Sequence, residues 1–261
     1  MPTLTDLLEL PAPVPEPLRP WLAGLTAVPP LRAATEPFVR VPHGSTLVVF
    51  RAGQPAAALG PASTALYPEP DKPRSCLRLR LAPGAAGPLL GIGAAELTDR
   101  MVPLAALPGP LAQLAPELDQ LPPEELLPRL ATALPARVTE SATQRAHRAL
   151  LATAVRAITA HPGGPTVTAL ARSLAVSERQ LRSLFTTGIG LSPKHYARIA
   201  RLRLVLERAG RAPWAHLAAD TGYYDHSHLT AEFRALMGVS PSAFAHGALP
   251  AATGCTPFAR R

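Results

Sequence analysis

The chain has 261 residues, 47% of them hydrophobic, and a formal net charge of +8. This length allows two domains that each bury a core. No run reaches ~18 apolar residues, no signal-peptide pattern opens the chain, and Cys76 and Cys255 are the only cysteines, which excludes a membrane-spanning protein and a disulfide-rich secreted one. We therefore expect a cytoplasmic protein, with no cofactor and no metal site.

The first 40 residues are crowded with proline, which favours turns and extended segments over long helices. Two later runs are typical of strands. FVRVPHGSTLVVFRAG (38–53) contains β-branched and aromatic residues, and CLRLRLAPG (76–84) alternates apolar residues with arginine. Short helical segments separated by prolines follow, between residues 88 and 134. These patterns predict a small β-rich domain with accessory helices over residues 1–135.

Residues 136–144 are small and polar without apolar periodicity, and we predict that they form a linker. The pattern beyond them is helical almost throughout, which predicts an all-α domain over residues 145–247. Residues 248–261 are predicted to be a disordered tail. The expected fold class is therefore a multidomain α+β protein.

Charge is divided unevenly between these parts. Residues 1–140 carry 11 Lys and Arg against 13 Asp and Glu, a net −2, whereas residues 141–261 carry 15 against 5, a net +10. A strongly basic half predicts a polyanionic partner, either nucleic acid or an anionic lipid surface. The alternative is a generic solvated surface.

Two stretches 48 positions apart are almost the same: GLSPKHY at 190–196 and GVSPSAF at 238–244. The match extends backwards, because five residues recur at the same offset. They are Leu181, Phe185, Gly190, Ser192 and Pro193, repeated as Leu229, Phe233, Gly238, Ser240 and Pro241. A repeat of this length is one supersecondary unit copied.

Each copy has the pattern of a short helix, a tight turn and a second helix, which begins at Ser177 in the first copy and at Asp225 in the second. Gly222 suits the second turn. Ala175 stands where glycine is expected in the first, and a positive φ there would cost about 1 kcal/mol. The pattern predicts a helix-turn-helix, whose second helix enters the DNA major groove. The two predicted recognition helices cover about 177–187 and 225–236.

Helical spacing turns one stripe of each recognition helix outward. Base contacts are predicted for Arg179, Arg182, Ser183 and Thr186 in the first helix, and for His226, Ser227, Thr230 and Ala231 in the second. Each arginine can bind a guanine bidentately, worth ~1–3 kcal/mol of discrimination, whereas Thr230 and Ala231 offer only single or thymine-methyl contacts. The second unit is therefore expected to contact fewer bases.

SPKHYARIARLRLVLERAG lies between the copies and predicts a helix of ~17 residues and ~26 Å, begun by Ser192 and Pro193 and ended by Gly210. A rod of this length can hold two recognition helices about one DNA turn, ~34 Å, apart. Phosphate contacts are predicted for Ser177, Lys194, Arg198, Arg201, Arg203 and Arg234. Alanine at Arg201 is accordingly expected to weaken binding to all DNA sequences.

The pattern LAxxLAVSxxxLRSLF…GLSPKHYARIARL…LAADTGYYDHSHLTAEFRALMGVSPSAF, over about 145–247, resembles the AraC/XylS-type transcriptional regulators. The resemblance implies two helix-turn-helix units on a long linker helix, in a sequence-specific regulator of transcription that binds double-stranded DNA. It makes RNA polymerase a candidate partner and leaves monomer and homodimer open. This chain has Ala231 where the family often has arginine or another long polar residue.

The N-terminal part has its own likeness. VPHGSTLVVFRAG and the segment RLRLAPGAAGPLLGIGAAELTDRMVPL are similar to an uncharacterised β-rich domain that precedes this module in some actinobacterial members. The resemblance implies a sensor or dimerisation role, with a small-molecule effector as a candidate ligand of this domain.

Rival interpretations remain. A DNA-repair enzyme fused to the module would need an activated cysteine and, in the familiar repair proteins, a four-cysteine zinc site, and only Cys76 is available. No catalytic residue is predicted. An architectural DNA-binding protein would share the basic charge without needing two matched recognition helices.

Two local motifs have plainer explanations. In DHSH, His226 and His228 diverge by ~200° on a helix and cannot share one metal ion, so we expect His228 to pack at a helix interface. GIGAAEL (91–97) lacks the third glycine and the lysine of phosphate-binding loops, which favours a simple helix-entry turn.

Overall fold

The N-terminal half is built on an antiparallel sheet. The computed structural model describes residues 3–4, 10–28, 38–51, 53–68, 76–160 and 163–251. Strands in this part of the chain are β1 Thr3–Leu4, β2 Leu10–Ala12, β3 Leu22–Val28, β4 Phe38–Val39, β5 Leu47–Arg51, β6 Gln54–Leu59, β7 Cys76–Leu81 and β8 Met101–Pro103. Six of them form one sheet in the order β2-β3-β7-β5-β6-β8, while β1 and β4 pair separately in parallel.

β7 lies inside the sheet, between β3 and β5, and its alternating sequence gives the sheet two different faces. Leu79 and Leu81 are buried in the N-terminal core. Arg78 and Arg80 take the opposite face, because successive side chains of a strand point to opposite sides. The strand predicted over CLRLRL is thereby confirmed, with its arginines turned toward the C-terminal half of the molecule.

Four short helices cover the leucine face of this sheet, and prolines separate or begin several of them, as predicted. They are α1 Ala86–Leu90, α2 Ala94–Leu97, α3 Pro110–Leu118 and α4 Pro123–Ala133. Leu89, Leu111 and Leu130 are fully buried in the same cluster as Val48 and Leu79. The N-terminal core therefore lies between the sheet and these helices.

GIGAAEL forms a connection between two of these helices. Gly91 ends α1 with a φ of 77°, and Gly93 is the N-cap of α2. The backbone N–H of Gly93 donates to Oε1 of Glu96 at 3.0 Å. The helix-entry turn predicted for this motif is what the structure contains.

The C-terminal half is all helical, as predicted. Its helices are α5 Ala142–Thr159, α6 Val167–Ser173, α7 Glu178–Ile189, α8 Pro193–Arg208, α9 Trp214–Asp220, α10 His226–Met237 and α11 Pro241–Ala245. The predicted helix starts are confirmed, since the side chains of Ser177, Ser192 and Asp225 each accept a hydrogen bond from the backbone N–H three residues on. Phe185 and Phe233, equivalent in the repeat, are both fully buried in one core.

The connection between the two halves packs against the N-terminal core. Val138, in the range predicted as a linker, contacts the N-terminal core, and α5 already begins at Ala142. Arg148 of α5 pairs with Glu140 and donates through Nη1 to the carbonyl of Pro20 at 2.6 Å. The tail predicted over 248–261 lies outside the described residues from residue 252 onward.

The segment of residues 39–67 belongs to both halves. It contains β5 and β6 of the N-terminal sheet, yet Val39, Val41 and Tyr67 are buried in the apolar cluster of the C-terminal helices. The two halves consequently share part of one core.

Candidate nucleic-acid interface

α7 turns the predicted polar stripe to solvent. Leu181, Phe185 and Ile189 bury the opposite side of the helix. All four side chains predicted to contact bases are exposed: Arg179, Arg182, Ser183 and Thr186. Nη2 of Arg182 donates to Oε2 of Glu178 at 2.7 Å, in an exposed pair one helical turn apart. Such pairs are worth well under about 1 kcal/mol, so Arg182 can exchange this partner for a base.

α10 presents a less polar stripe. Its exposed outward residues are His226, Ser227, Ala231 and Arg234. Thr230 differs from the prediction, because its Oγ1 is buried and has no hydrogen-bond partner among the described residues. The equivalent residue of α7 is Arg182, whose side chain is 61% exposed, whereas the hydroxyl of Thr230 is buried. The base contact predicted for the Thr230 hydroxyl is therefore not available in this structure.

On the linker helix α8, three of the residues predicted to bind phosphates contact other parts of the protein instead. They are Arg198, Arg201 and Arg203. Nε of Arg198 donates to Oε2 of Glu232 at 2.6 Å, which joins α8 to α10. Nη1 of Arg203 lies 3.4 Å from the carbonyl oxygen of Pro42 in the N-terminal half. These two side chains are half-buried, so they stabilise the arrangement of the elements around α8.

Arg201 requires a correction of the same kind. Its Nη2 donates to the carbonyl of Gly163 at 3.2 Å, and its guanidinium lies 5.2 Å from the ring centroid of Tyr223. Its Nε is buried without a partner among the described residues. The guanidinium thus lies inside the module, and the predicted uniform loss of DNA binding on alanine substitution no longer follows. Ser177, Lys194 and Arg234 are the predicted phosphate-binding residues that remain exposed.

Two aromatic side chains at the N-terminal end of α10, His228 within the helix and Tyr224 before it, lie on this surface. The ring of His228 lies edge-on to that of Tyr223, with centroids 5.4 Å apart, which agrees with the expected packing although His228 is exposed overall. Tyr224 is 94% exposed, directly before the N-cap of α10. This exposed tyrosine was not predicted from the sequence, although an aromatic residue directly before a helix N-cap is a visible signal.

The two tight turns have the backbone that the repeat predicted. Ala175 has a φ of 53° and its repeat equivalent Gly222 a φ of 77°. Only glycine adopts this left-handed region without strain. The first turn therefore contains a strained alanine.

Replacing Ala175 with glycine should raise the free energy of unfolding by up to about 1 kcal/mol, because the left-handed strain disappears. Urea unfolding of the full chain at neutral pH measures the change. Ala169→Gly, inside α6, is the control and should lower stability by about 0.5–1 kcal/mol. A loss of stability in Ala175→Gly would contradict the strain.

The N-terminal half supplies hydrogen-bond donors to the C-terminal ends of both recognition helices, whose last carbonyls have no partner within the helix. At α7, the backbone N–H of Gly84 donates to the carbonyl of Gly188 at 3.0 Å, and Oγ1 of Thr98 donates to that of Gly190 at 2.8 Å. Neither contact was predictable from the repeat.

At α10 the donors come from residues 61–67, which we call the strap. The backbone N–H of Ala65 donates to the carbonyl of Leu236 at 2.8 Å, and the Tyr67 hydroxyl donates to that of Met237 at 2.5 Å. The strap also contacts α8, since Nε2 of His195 donates to the carbonyl of Ser63 at 3.0 Å. The N-terminal half therefore donates hydrogen bonds to the C-terminal ends of both α7 and α10.

Burial raises the pKa of Tyr67 to about 12. A pKa raised in the folded state means that the protonated phenol contributes stability below pH 10, which is lost as the pH rises from 10 toward 12. Tyr67→Phe should be about 1 kcal/mol less stable at pH 7, because the hydrogen bond is lost. The deficit should shrink above pH 10, since only the wild-type residue ionises on unfolding.

Urea unfolding at pH 7 and pH 10.5 measures both differences. Tyr223, whose pKa burial also raises to about 12, is present in both proteins and cancels in the comparison. A deficit that stays constant or widens with pH would contradict this role of the Tyr67 phenol.

Comparison with known proteins finds a domain model that matches the part of the chain carrying this surface. A model described as a helix-turn-helix domain matches residues 170–247. The C-terminal domain of AraT, a response regulator from Geobacillus stearothermophilus, is 23% identical, with 39% of this chain and 88% of that chain covered and a TM-score of 0.36. A transcriptional regulator with an AraC-type DNA-binding domain from Chromobacterium violaceum is 22% identical, with coverages of 41% and 98% and a TM-score of 0.36.

An apo ToxT variant from Vibrio cholerae is 11% identical over 85% of this chain and 96% of that chain, with a TM-score of 0.43. No curated protein sequence matches the chain. Among the helices of the described ranges, none has the length and hydropathy to cross a bilayer. No cluster of three His, Cys, Asp or Glu side chains in those ranges could hold a metal ion.

The matched range contains α7 and α10, each of which carries an exposed polar stripe, and the linker helix α8 between them. Residues 170–247 therefore form a helix-turn-helix domain.

Proposed function

We propose that the protein is a sequence-specific transcription regulator that inserts α7 and α10 into the major groove of double-stranded DNA. The observation that carries this proposal is the pair of equivalent helices, each with an exposed polar stripe, in a half of the chain whose net charge is +10. A non-specific binder needs the charge but gains nothing from two matched stripes.

The two helices contribute unequally to this proposed interface. α7 offers Arg179 and Arg182, both suited to bidentate contacts with guanine. α10 offers His226, Ser227 and Ala231, with Tyr224 beside them, so its contacts are shorter and less specific. Phosphate contacts fall to Ser177, Lys194 and Arg234, which fix the protein on the duplex.

Selection of binding sites from random double-stranded DNA with the full chain tests the proposal. The enriched sequences should contain a guanine-rich block assigned to α7 and a more degenerate block assigned to α10. The selected duplex should bind at least ~10³-fold more tightly than bulk DNA at one salt concentration. Binding to both within a few fold would favour the architectural alternative instead.

The selected site also decides the oligomeric state. One asymmetric site indicates a monomer, whereas an inverted or direct repeat of the whole site indicates two copies of the chain. RNA polymerase stays a candidate partner for a later test on the same duplex. We propose no catalytic activity.

A further inference from the structure

Tyr224 exposes an aromatic ring in the turn of the second helix-turn-helix unit, which consists of α9, the turn and α10. The residue is 94% exposed, whereas its neighbour Tyr223 is buried in the core of the C-terminal helices. Leu10 of β2 is the other large hydrophobic residue that the described part of the chain exposes. Single exposed apolar residues are common on protein surfaces, so the position of Tyr224 in the fold decides what it does.

The repeat identifies Tyr224 as an inserted residue. Val176 and Tyr223 correspond in the two turns, since each donates its backbone N–H at 3.0 Å to the carbonyl five residues earlier. They lie 47 positions apart, whereas the next helix N-caps, Ser177 and Asp225, lie 48 apart. The extra residue of the second turn is therefore Tyr224, and it has no counterpart in the first unit.

Hydrogen bonds and ring contacts order the turn that carries the insertion. The backbone N–H of Tyr224 donates to Nδ1 of His228 at 3.4 Å, and the N–H of His228 donates to Oδ1 of Asp225 at 2.7 Å. The ring of Tyr223 lies edge-on to that of His228 and 5.2 Å from the guanidinium of Arg201. An ordered backbone with an exposed ring lowers the entropic cost of a contact with a partner.

Charge makes a phosphate a poor partner for this ring. Residues 212–233 contain three acidic residues and no lysine or arginine, a net −3, whereas the equivalent residues 165–185 contain three arginines and one glutamate, a net +2. One of the acidic residues, Asp225, lies directly beside Tyr224, where the first unit has the neutral Ser177. A phosphate at this end of α10 would be repelled. Contacts with DNA at this end therefore fall to neutral and apolar groups.

The major groove offers one apolar group on its base edges, the C5-methyl of thymine. Tyr224 precedes the N-cap of α10, at the end of a recognition helix that contacts base edges. Further along the helix, Ala231 offers only a methyl group, and the hydroxyl of Thr230 is buried. The tyrosine ring supplies the apolar area that these two residues lack.

We propose that Tyr224 is a specificity-determining residue, through which α10 selects a thymine by packing the phenol ring against its C5-methyl group. The contact rests on the proposed function, because it requires α10 to lie in the major groove. It adds one preferred base to a block of the binding site that is otherwise degenerate.

Fluorescence anisotropy of the full chain on the selected duplex tests the contact, with each thymine of the α10 block replaced in turn by deoxyuridine. Deoxyuridine lacks the C5-methyl and keeps the hydrogen-bonding groups of thymine. One replacement should lower the affinity of the wild-type chain about three- to fivefold, as expected for one buried methyl group. In Tyr224→Ala the same replacement should change the affinity less than about 1.5-fold, whereas Tyr224→Phe should keep the full effect.

Leu10→Ala is the matched control, because it removes an exposed apolar side chain from the N-terminal sheet. Its affinity for the thymine and deoxyuridine duplexes should equal that of the wild-type chain. Circular dichroism shows whether each variant is folded, and Tyr224 is exposed enough for both of its variants to fold normally.

Three results would overturn the proposal: an α10 block without thymine, a deoxyuridine effect that is the same in wild type and Tyr224→Ala, or equal losses on selected and random DNA in Tyr224→Ala and Tyr224→Phe. The last result would indicate a contact between the hydroxyl and a phosphate. A selection that yields no specific site overturns the regulator assignment together with this contact. A specific site that is indifferent to Tyr224 overturns this contact alone.

Discussion

Alanine at Arg182 should lower the affinity for the selected duplex roughly 5- to 150-fold, while the affinity for random DNA falls only a few fold. The loss corresponds to ~1–3 kcal/mol for a bidentate contact with guanine. Arg182 is exposed in the middle of the α7 stripe, and its ion pair with Glu178 is also exposed, while Glu178 keeps a hydrogen bond from the Thr168 hydroxyl when the arginine is removed. Removing the arginine therefore costs little stability, and the change in affinity reports on DNA contacts.

Arg234→Ala is the matched control on α10. Arg234 is exposed and proposed to contact a phosphate, so its loss should weaken both duplexes by the same factor and reduce the salt slope by about one. Fluorescence anisotropy at several salt concentrations measures both quantities. Equal losses on selected and random DNA in Arg182→Ala would contradict base recognition by α7.

Gly190→Ala should lower the free energy of unfolding by about 2–4 kcal/mol, far more than the equivalent change in the second copy. Gly190 ends α7 with a φ of 85°, where any other residue is strained by about 1 kcal/mol. A Cβ there would also lie 2.6 Å from Oγ1 of Thr98, 2.7 Å from the carbonyl oxygen of Ala94 and 2.8 Å from Cγ of Pro61. All three atoms belong to the N-terminal half, and overpacking of this kind costs a further ~1–3 kcal/mol.

Gly238→Ala provides the comparison. Gly238 ends α10 with a φ of 73°, but the nearest atom to an added Cβ is Cγ of Pro250 at 3.9 Å. Its loss should therefore be about 1 kcal/mol, from the backbone alone. Urea unfolding of both variants isolates the packing between the halves. Equal losses would mean that α7 does not need the N-terminal half at this point.

The helices of the C-terminal half were predictable because their signals are local. Ser177, Ser192 and Asp225 each mark a helix start within four residues, and the repeat places two buried phenylalanines without reference to the rest of the chain. The strained φ of Ala175 followed from the same repeat, by comparison with Gly222.

The strands were less predictable because tertiary contacts decide them. β7 has a strict alternation and was found, whereas β6 is QPAAAL, whose alanines favour helix when considered alone. Its strand state comes from pairing with β5 on one side and β8 on the other. β3 was not predicted either, because it lies within the proline-rich first 40 residues, whose composition indicated only turns and extended segments.

In the candidate site, too, the features set by local sequence were predictable and those set by tertiary contacts were not. Exposure of the α7 stripe follows from helical periodicity, and Arg179 and Arg182 lie where that rule places them. Arg201 and Arg203 lie on the exposed side of α8 only if nothing covers that helix. Residues 42–47 and the loop at 163–164 do cover it, and no pattern along α8 reveals such partners.

Because residues of the N-terminal half are buried in the core of the C-terminal helices, the C-terminal half is not a self-contained fragment. A fragment that starts at residue 142 keeps every helix of the module but leaves behind Val39, Val41 and Tyr67, which are buried against it. The carbonyls of Leu236 and Met237 lose their donors at the same time. Such a truncated protein is expected to aggregate at concentrations where the intact chain does not, so biochemical work on this protein calls for the undivided polypeptide.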